Sequence, residues 1–99
     1  MLEVTIFLDE DDRVNDESLY QYIMKFLLHH HIRGASVFAA MGGYGVKRHL
    51  HYPRRIGASG EGPIMILFID EEEKIREVLP HLKEVVAEGL IVLKRVERA

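Results

Sequence analysis

The chain reads as an α+β domain of βαββαβ order, an antiparallel sheet with two helices on one face. Three observations predict it. Apolar residues alternate at period two over Leu2, Val4, Ile6 and Leu8; they recur at helical spacing in two later segments; and three short runs of apolar, β-branched or aromatic residues separate and follow those segments. Ninety-nine residues suffice for one core and not for two, so residues 1–99 form one domain.

Each element has its own signal. The first strand ends at the acidic stretch Asp9-Glu10-Asp11-Asp12. A helix then starts from Asn15 or Asp16, either a suitable N-cap with acidic company, and carries Leu19, Ile23, Phe26, Leu27 and His30 as its buried stripe until Gly34. Ala35 to Met41 is the second strand, closed by Gly42, Gly43 and Gly45. Ile64 to Ile69, after Pro63, is the third. Asp70 and Glu71 to Glu73 supply an acidic first turn for a second helix with Ile75, Val78, Leu79, Leu82, Val85 and Val86 buried. Pro80 inside that stripe predicts a kink or a restart, because proline lacks the backbone donor and crowds the preceding turn. Gly89 is the expected stop, and Leu90 to Val96 is the last strand. This order is the split-βαβ, ferredoxin-like arrangement.

A sheet covered by helices on one side only should be polar on the other. It is not. The third strand presents Ile64, Ile66 and Phe68 to one side and Met65, Leu67 and Ile69 to the other; the last presents Leu90 and Val92 against Ile91 and Leu93. A contiguous exposed apolar face marks an interface, so a homo-oligomer packed sheet against sheet is expected. The alternative is that Pro53 to Gly62 folds back over the face.

Composition narrows the function. The chain is 47% hydrophobic and 29% charged, and no apolar run approaches the roughly 20 residues that span a bilayer, so no membrane insertion is expected. With no cysteine and no secretory pattern after Met1, a cytoplasmic location is expected. A net charge of -3 and aliphatic strands argue against a nucleic-acid partner. Signs are nevertheless segregated: carboxylates crowd residues 9–17, whereas Lys47, Arg48, His49, His51, Arg54 and Arg55 crowd the middle loop.

That loop, Gly42 to Gly62, joins antiparallel neighbours that two to five residues would connect, so its length is in excess of what the hairpin needs. Gly42-Gly43-Tyr44-Gly45 permits positive φ and close approach to a ligand, and successive N–H groups there can form an anion nest. Lys47, Arg48, Arg54 and Arg55 are cations suited to phosphate or carboxylate. The reading is an anionic small molecule at an oligomer cleft, against the alternative of a solvated basic loop. His29-His30-His31 is a poor metal site, since helical neighbours point about 100° apart; His30 is expected to be partly buried instead. His49 and His51 share one side of an extended segment, but two ligands are few. Asp9 to Asp12 lacks the glycine and terminal glutamate of an EF-hand loop and reads as a solvated charge run. Ser18, Ser36 and Ser59 are the only serines and none sits in a nucleophile elbow, so no enzyme motif is present.

Gly34-Ala35-Ser36-Val37 followed by Gly43-Tyr44-Gly45 and a basic segment resembles the second strand and T-loop of PII signalling proteins. With Leu19-Tyr20, Glu73-Lys74-Ile75, Leu79-Pro80 and Glu88-Gly89-Leu90-Ile91, nearly the whole chain resembles the uncharacterised PII-like family. The resemblance implies a homotrimer with clefts between subunits that bind an adenine nucleotide as effector, and no resident cofactor. It also implies a loop that engages a protein target such as a transporter or enzyme. Gly43, Gly45, Lys47, Arg48 and Gly89 would then be ligand-binding, and Tyr44, His49, His51, Arg54 and Arg55 would belong to the partner loop. Ala87-Glu88-Gly89-Leu90 departs from the glycine- and lysine-containing phosphate loop of PII proteins. A metal-handling trimer like the CutA proteins is the alternative function; an acylphosphatase-type enzyme is disfavoured by the acidic residues after the first strand.

Overall fold

The computed structural model of the protein describes residues 1–50, 52 and 62–99. His51, Arg54, Arg55 and all but Gly62 of the Pro53 to Gly62 segment, whose folding back was the alternative to an oligomer, lie outside them. The elements run β1 (Leu2–Asp9), β2 (Arg13–Val14), β3 (Glu17–Ser18), α1 (Leu19–His29), β4 (Ala35–Ala39), β5 (Pro63–Asp70), α2 (Glu72–Val85) and β6 (Leu90–Arg95). β4, β5, β1 and β6 form one sheet in that spatial order, each neighbouring pair antiparallel. This is the ferredoxin-like topology, with a small hairpin, β2–β3, inserted before the first helix.

That insertion corrects the expected helix start. Asn15 and Asp16 are not caps; they are the two-residue turn joining Val14 to Glu17, with φ of 48° and 65°. Positive φ at both positions is what a type I′ turn demands, and Asn and Asp tolerate it best after glycine. The helix begins instead at Leu19 with Ser18 at its N-cap position, and its first turn holds no acidic residue.

The end of α1 differs too. His31, at φ 60°, takes the left-handed position; its N–H donates to Leu28 O and that of Ile32 to Leu27 O, both at 3.1 Å. This paired closure is a Schellman motif, and it seats Ile32 in the core, so the chain turns three residues before Gly34. His30 is exposed rather than partly buried, because its position after the last helical residue carries it past the stripe. Its Nδ1 lies 2.9 Å from Phe26 O and its ring 4.2 Å from that of Phe26. In α2 there is no restart: one helix runs through Pro80. Pro80 and Arg76, the residue whose carbonyl loses its partner, are both exposed, where water can take over the bond.

One face of the sheet and both helices share a single core. Leu2, Val4, Ile6 and Leu8 of β1 and Ile64, Ile66 and Phe68 of β5 pack against Leu19, Ile23, Leu27, Ile75, Val78 and Leu82. Each such side chain contributes roughly 1.5–3 kcal/mol of burial. Register then dictates the opposite face: Phe38, Met65, Phe7 and Leu90 lie in one row across the four strands, and Ser36, Leu67, Thr5 and Val92 in the next. Phe7, Phe38, Leu90 and Val92 are each 40–56% exposed. No described helix is long and apolar enough to cross a membrane.

Asp70, at the end of β5, is fully buried. Its carboxylate accepts the backbone N–H of Glu71 at 2.7 Å and of Arg33 at 2.9 Å, with Lys74 Nζ at 3.3 Å and Arg33 Nη2 at 3.5 Å. Lys74 also donates to His31 O. Burial pushes the Asp70 carboxyl up, but the two backbone donors and Lys74 outweigh it and hold the group below its ordinary value. One charge therefore pins the end of α1 to the start of α2. Asp70→Ala, which strands two backbone donors, is expected to lower stability by roughly 3 kcal/mol in urea titration at pH 7. Since the folded value lies below the unfolded one of about 3.9, this contribution is complete above that pH and lost as pH falls through the folded value. The gap between wild type and Asp70→Asn should accordingly be constant near neutrality and narrow in acid.

Candidate functional site

A cleft of about 490 Å³ opens where four segments meet: Phe7-Leu8-Asp9 at the end of β1, Pro63-Ile64 at the start of β5, Glu88-Gly89-Leu90 leading into β6, and Tyr44-Gly45-Val46 from the loop stem. The sheet register brings the first three together, because Asp9 pairs with Pro63 and Phe7 with Leu90. The loop stem completes the wall. Glu10 N–H donates to Gly62 O at 2.8 Å and Ala40 N–H to Pro63 O at 2.9 Å, closing the base of the loop on both sides.

Two glycines shape this cleft for different reasons. At Gly89 a Cβ would lie 2.4 Å from Phe7 O and 2.8 Å from Val86 Cγ1, so the turn presses on β1 too closely for any side chain. Gly89 is thus a packing glycine, three residues beyond the end position Val86, and not the helix stop. Gly45 has the Asp9 carboxylate as its neighbour: a Cβ there would lie 3.8 and 3.9 Å from the two Asp9 oxygens. Gly43, at φ 132°, provides the backbone turn ahead of the stem and does not line the cleft.

The cations expected around the ligand are placed unequally. Lys47 Nζ is 2.8 Å from Asp12 Oδ1 and 3.5 Å from Asp11 Oδ1. The hydrogen bond to Asp12 outweighs desolvation and, with the nearby charge of Asp11, holds the ammonium above its usual range. Lys47 is therefore the counter-ion of the acidic run, which is not simply a solvated stretch. Arg48 is exposed, with φ 60°, and its N–H donates to Gly45 O at 2.9 Å in a turn that closes the stem. His49 is exposed beyond it; Tyr44, also exposed, lines the cleft.

Sequence reasoning missed Asp9 as a cleft residue. It is only 7% exposed, and β1 continues through it, so alternation puts it on the same face as Phe7. The available signal was the parity of Phe7 and Asp9, masked by the run of carboxylates that follows. Asp9, Asp11 and Asp12 bring carboxylate oxygens within 4.8 Å of one another, and no histidine belongs to any such group of three among the described residues. Also unforeseen is a contact between helices, where Tyr22 OH lies 2.7 Å from His81 Nε2 and the His81 ring 4.7 Å from that of Phe26.

Fold and cleft together define a ferredoxin-like α+β domain with a cavity at the stem of its central loop. The chain belongs to the DUF190 family, described as "Uncharacterized ACR, COG1993", which matches residues 1–98. It is 33% identical over 92 residues to a UPF0166 protein of Aquifex aeolicus, covering 93% of this chain and 87% of that one. With the UPF0166 protein MJ1524 of Methanocaldococcus jannaschii it shares 38% over 89 residues, covering 89% and 82%. Among solved structures, CutA1 from Pyrococcus horikoshii superposes with a TM-score of 0.63 at 16% identity, over 100% of this chain and 86% of that one, a likeness of fold.

The close approach at Gly89 is testable. Gly89→Ala is expected to lower stability by about 1–3 kcal/mol in denaturant titration, as overpacking does. Gly34→Ala, where a Cβ meets nothing within 4 Å, should change it by less than about 0.5 kcal/mol.

Proposed function

We propose that the protein is a non-enzymatic regulatory module, a homotrimer that binds an adenine nucleotide in clefts at its subunit boundaries and signals to a protein target through the 42–62 loop. The observation that carries this reading is the cleft itself. It brings together Gly45 and Gly89, two of the five residues for which the PII resemblance implies ligand binding, and its volume of about 490 Å³ lies within the range of small-molecule sites. A ligand there touches the loop stem directly, so its binding energy can bias the loop's conformation and the surface offered to a partner.

The subunit boundary is supported by continuity. Phe7 and Leu90 line the cleft and also belong to the exposed apolar row with Phe38 and Met65. A second copy stacked on that face would border the cavity and exclude water from it. The metal-handling alternative gains no comparable observation: the close group of ligands among the described residues is Asp9, Asp11 and Asp12, of which Asp11 and Asp12 pair with Lys47.

Two measurements test the proposal. Calorimetric titration with ATP, ADP, AMP and cyclic nucleotides should give saturable heat, and ligand at 100 times its Kd should stabilise the fold by about 2.7 kcal/mol. Absence of both heat and thermal shift at millimolar nucleotide would overturn the ligand. Light scattering after size exclusion should report three chains per particle, and Phe38→Glu combined with Val92→Glu should release folded monomers. A wild-type monomer at micromolar concentration would overturn the trimer.

A further inference from the structure

We infer that the loop-stem wall of the cleft, Tyr44-Gly45-Val46, is a gate: it pivots at Gly43, is latched by Lys47 on Asp11 and Asp12, and opens without disturbing the sheet. The inference concerns the wall and not the occupant, so it stands or falls apart from the nucleotide reading.

The two limbs of the central loop are held by different kinds of contact. The returning limb belongs to the sheet. Glu10 N–H donates to Gly62 O at 2.8 Å, one step beyond the pairing of Asp9 with Pro63, so moving this limb would open the ladder between β1 and β5. The outgoing limb leaves the sheet after the bond from Ala40 N–H to Pro63 O at 2.9 Å. Beyond that point, among the described residues, its side-chain hydrogen bonds to the body of the protein are those of Lys47, to Asp12 Oδ1 at 2.8 Å and to Asp11 Oδ1 at 3.5 Å. Apolar burial adds little: Tyr44 is 62% and Val46 66% exposed, so lifting the wall forfeits only a small part of their contact with the protein.

The latch has a rigid seat. Asp12 Oδ2 accepts Asp9 N–H at 3.1 Å, Asp12 N–H donates to Asp9 O at 3.1 Å, and Asp12 O accepts Leu19 N–H at 2.8 Å. The carboxylate that receives Lys47 is thereby fixed to the end of β1 and the start of α1. On the moving side, Arg48 N–H donates to Gly45 O at 2.9 Å, which makes residues 45–48 a turn that travels as one piece with Lys47. Gly43, at φ 132°, stands just ahead of this piece in a backbone region that glycine alone enters freely, so rotation there has no side chain to accommodate. A fixed seat, a firm flap and a permissive pivot are the parts of a gate. Its fastening is ionic and partly exposed, so salt loosens it, whereas the backbone ladder of the returning limb is indifferent to salt. Access to the cleft is then set by ionic strength and by any charged group that competes for Lys47.

The chain has no cysteine, so spin labels at Val46→Cys and Ala87→Cys report the separation of the wall from the segment that carries Glu88. Co-refolding with an excess of unlabelled protein keeps each pair within one chain. Dipolar spectroscopy at about 0.01 M salt, where the screening length is about 30 Å, should give one short separation. A longer separation should appear in a substantial fraction of chains at about 1 M salt, where that length is about 3 Å, and in Lys47→Met at either salt. Lys47→Arg, which keeps the charge, should follow the wild type at both. A second pair at Gln21→Cys and Glu77→Cys, exposed positions on the two helices, should not respond. Separations across the cleft that neither salt nor Lys47→Met alters would overturn the latch, as would a long separation already dominant in the wild type at low salt. An equal shift of the helix pair would overturn the gate by showing that the whole fold loosens. Were Lys47→Met not to fold, the salt series on the wild type would still decide.

Discussion

Everything in this fold depends on β1 being sandwiched. It lies between β5 and β6, hydrogen-bonded to both, with Leu2, Val4, Ile6 and Leu8 directed into the core and Phe7 directed away from it. A central strand cannot tolerate slippage by one residue, because a shift of one exchanges the core set for the outer set. The register of β1 therefore sets which residues of β5 and β6 face the helices, which form the exposed apolar rows, and where Asp9 and Leu90 come to rest. The cleft is a consequence of that register: it forms at the end of β1 where the strand continues and the neighbouring connections turn away.

Charge then arranges what apolar burial leaves free. Asp70 gathers the backbone donors of Arg33 and Glu71 at one end of the sheet, and the Asp9 to Asp12 run gathers Lys47 at the loop stem. The two clusters differ in kind. Asp70 is buried and satisfied by fixed backbone groups, so it is a structural pin. The Lys47 pairs are partly exposed, and such ion pairs are individually weak and screened by salt. Their position beside the cleft is what gives them interest, since they tie the loop stem to the turn that follows β1.

Element order, the single core and the unusual apolar second face were legible from residue periodicity, because those features follow from side chains alternating at 2 or 3.6 along the chain. Leu2 to Leu8 and Ile75 to Leu82 needed nothing else. The failures cluster where local chemistry had two readings. Asn15 and Asp16 suit a helix cap and a type I′ turn equally well, and pairing between Val14 and Glu17 decided for the turn. His31 occupies a left-handed position usually given to glycine because burial of Ile32 favours a stop there.

For the site, the sequence by itself determined the components: a long central loop with Gly43, Gly45 and Arg48 near its start, a lone Gly89 ahead of the last strand, and an acidic run after the first. The tertiary structure alone decided their company. It set Gly45 and Gly89 on one cavity, turned Lys47 to Asp12, and placed Asp9 where composition had suggested only solvent. The physical reason is range: periodicity and turn chemistry act over a few residues, whereas the cleft is made of four segments spread from Phe7 to Leu90, whose meeting is dictated by strand pairing and by charges that find partners only after the chain has folded.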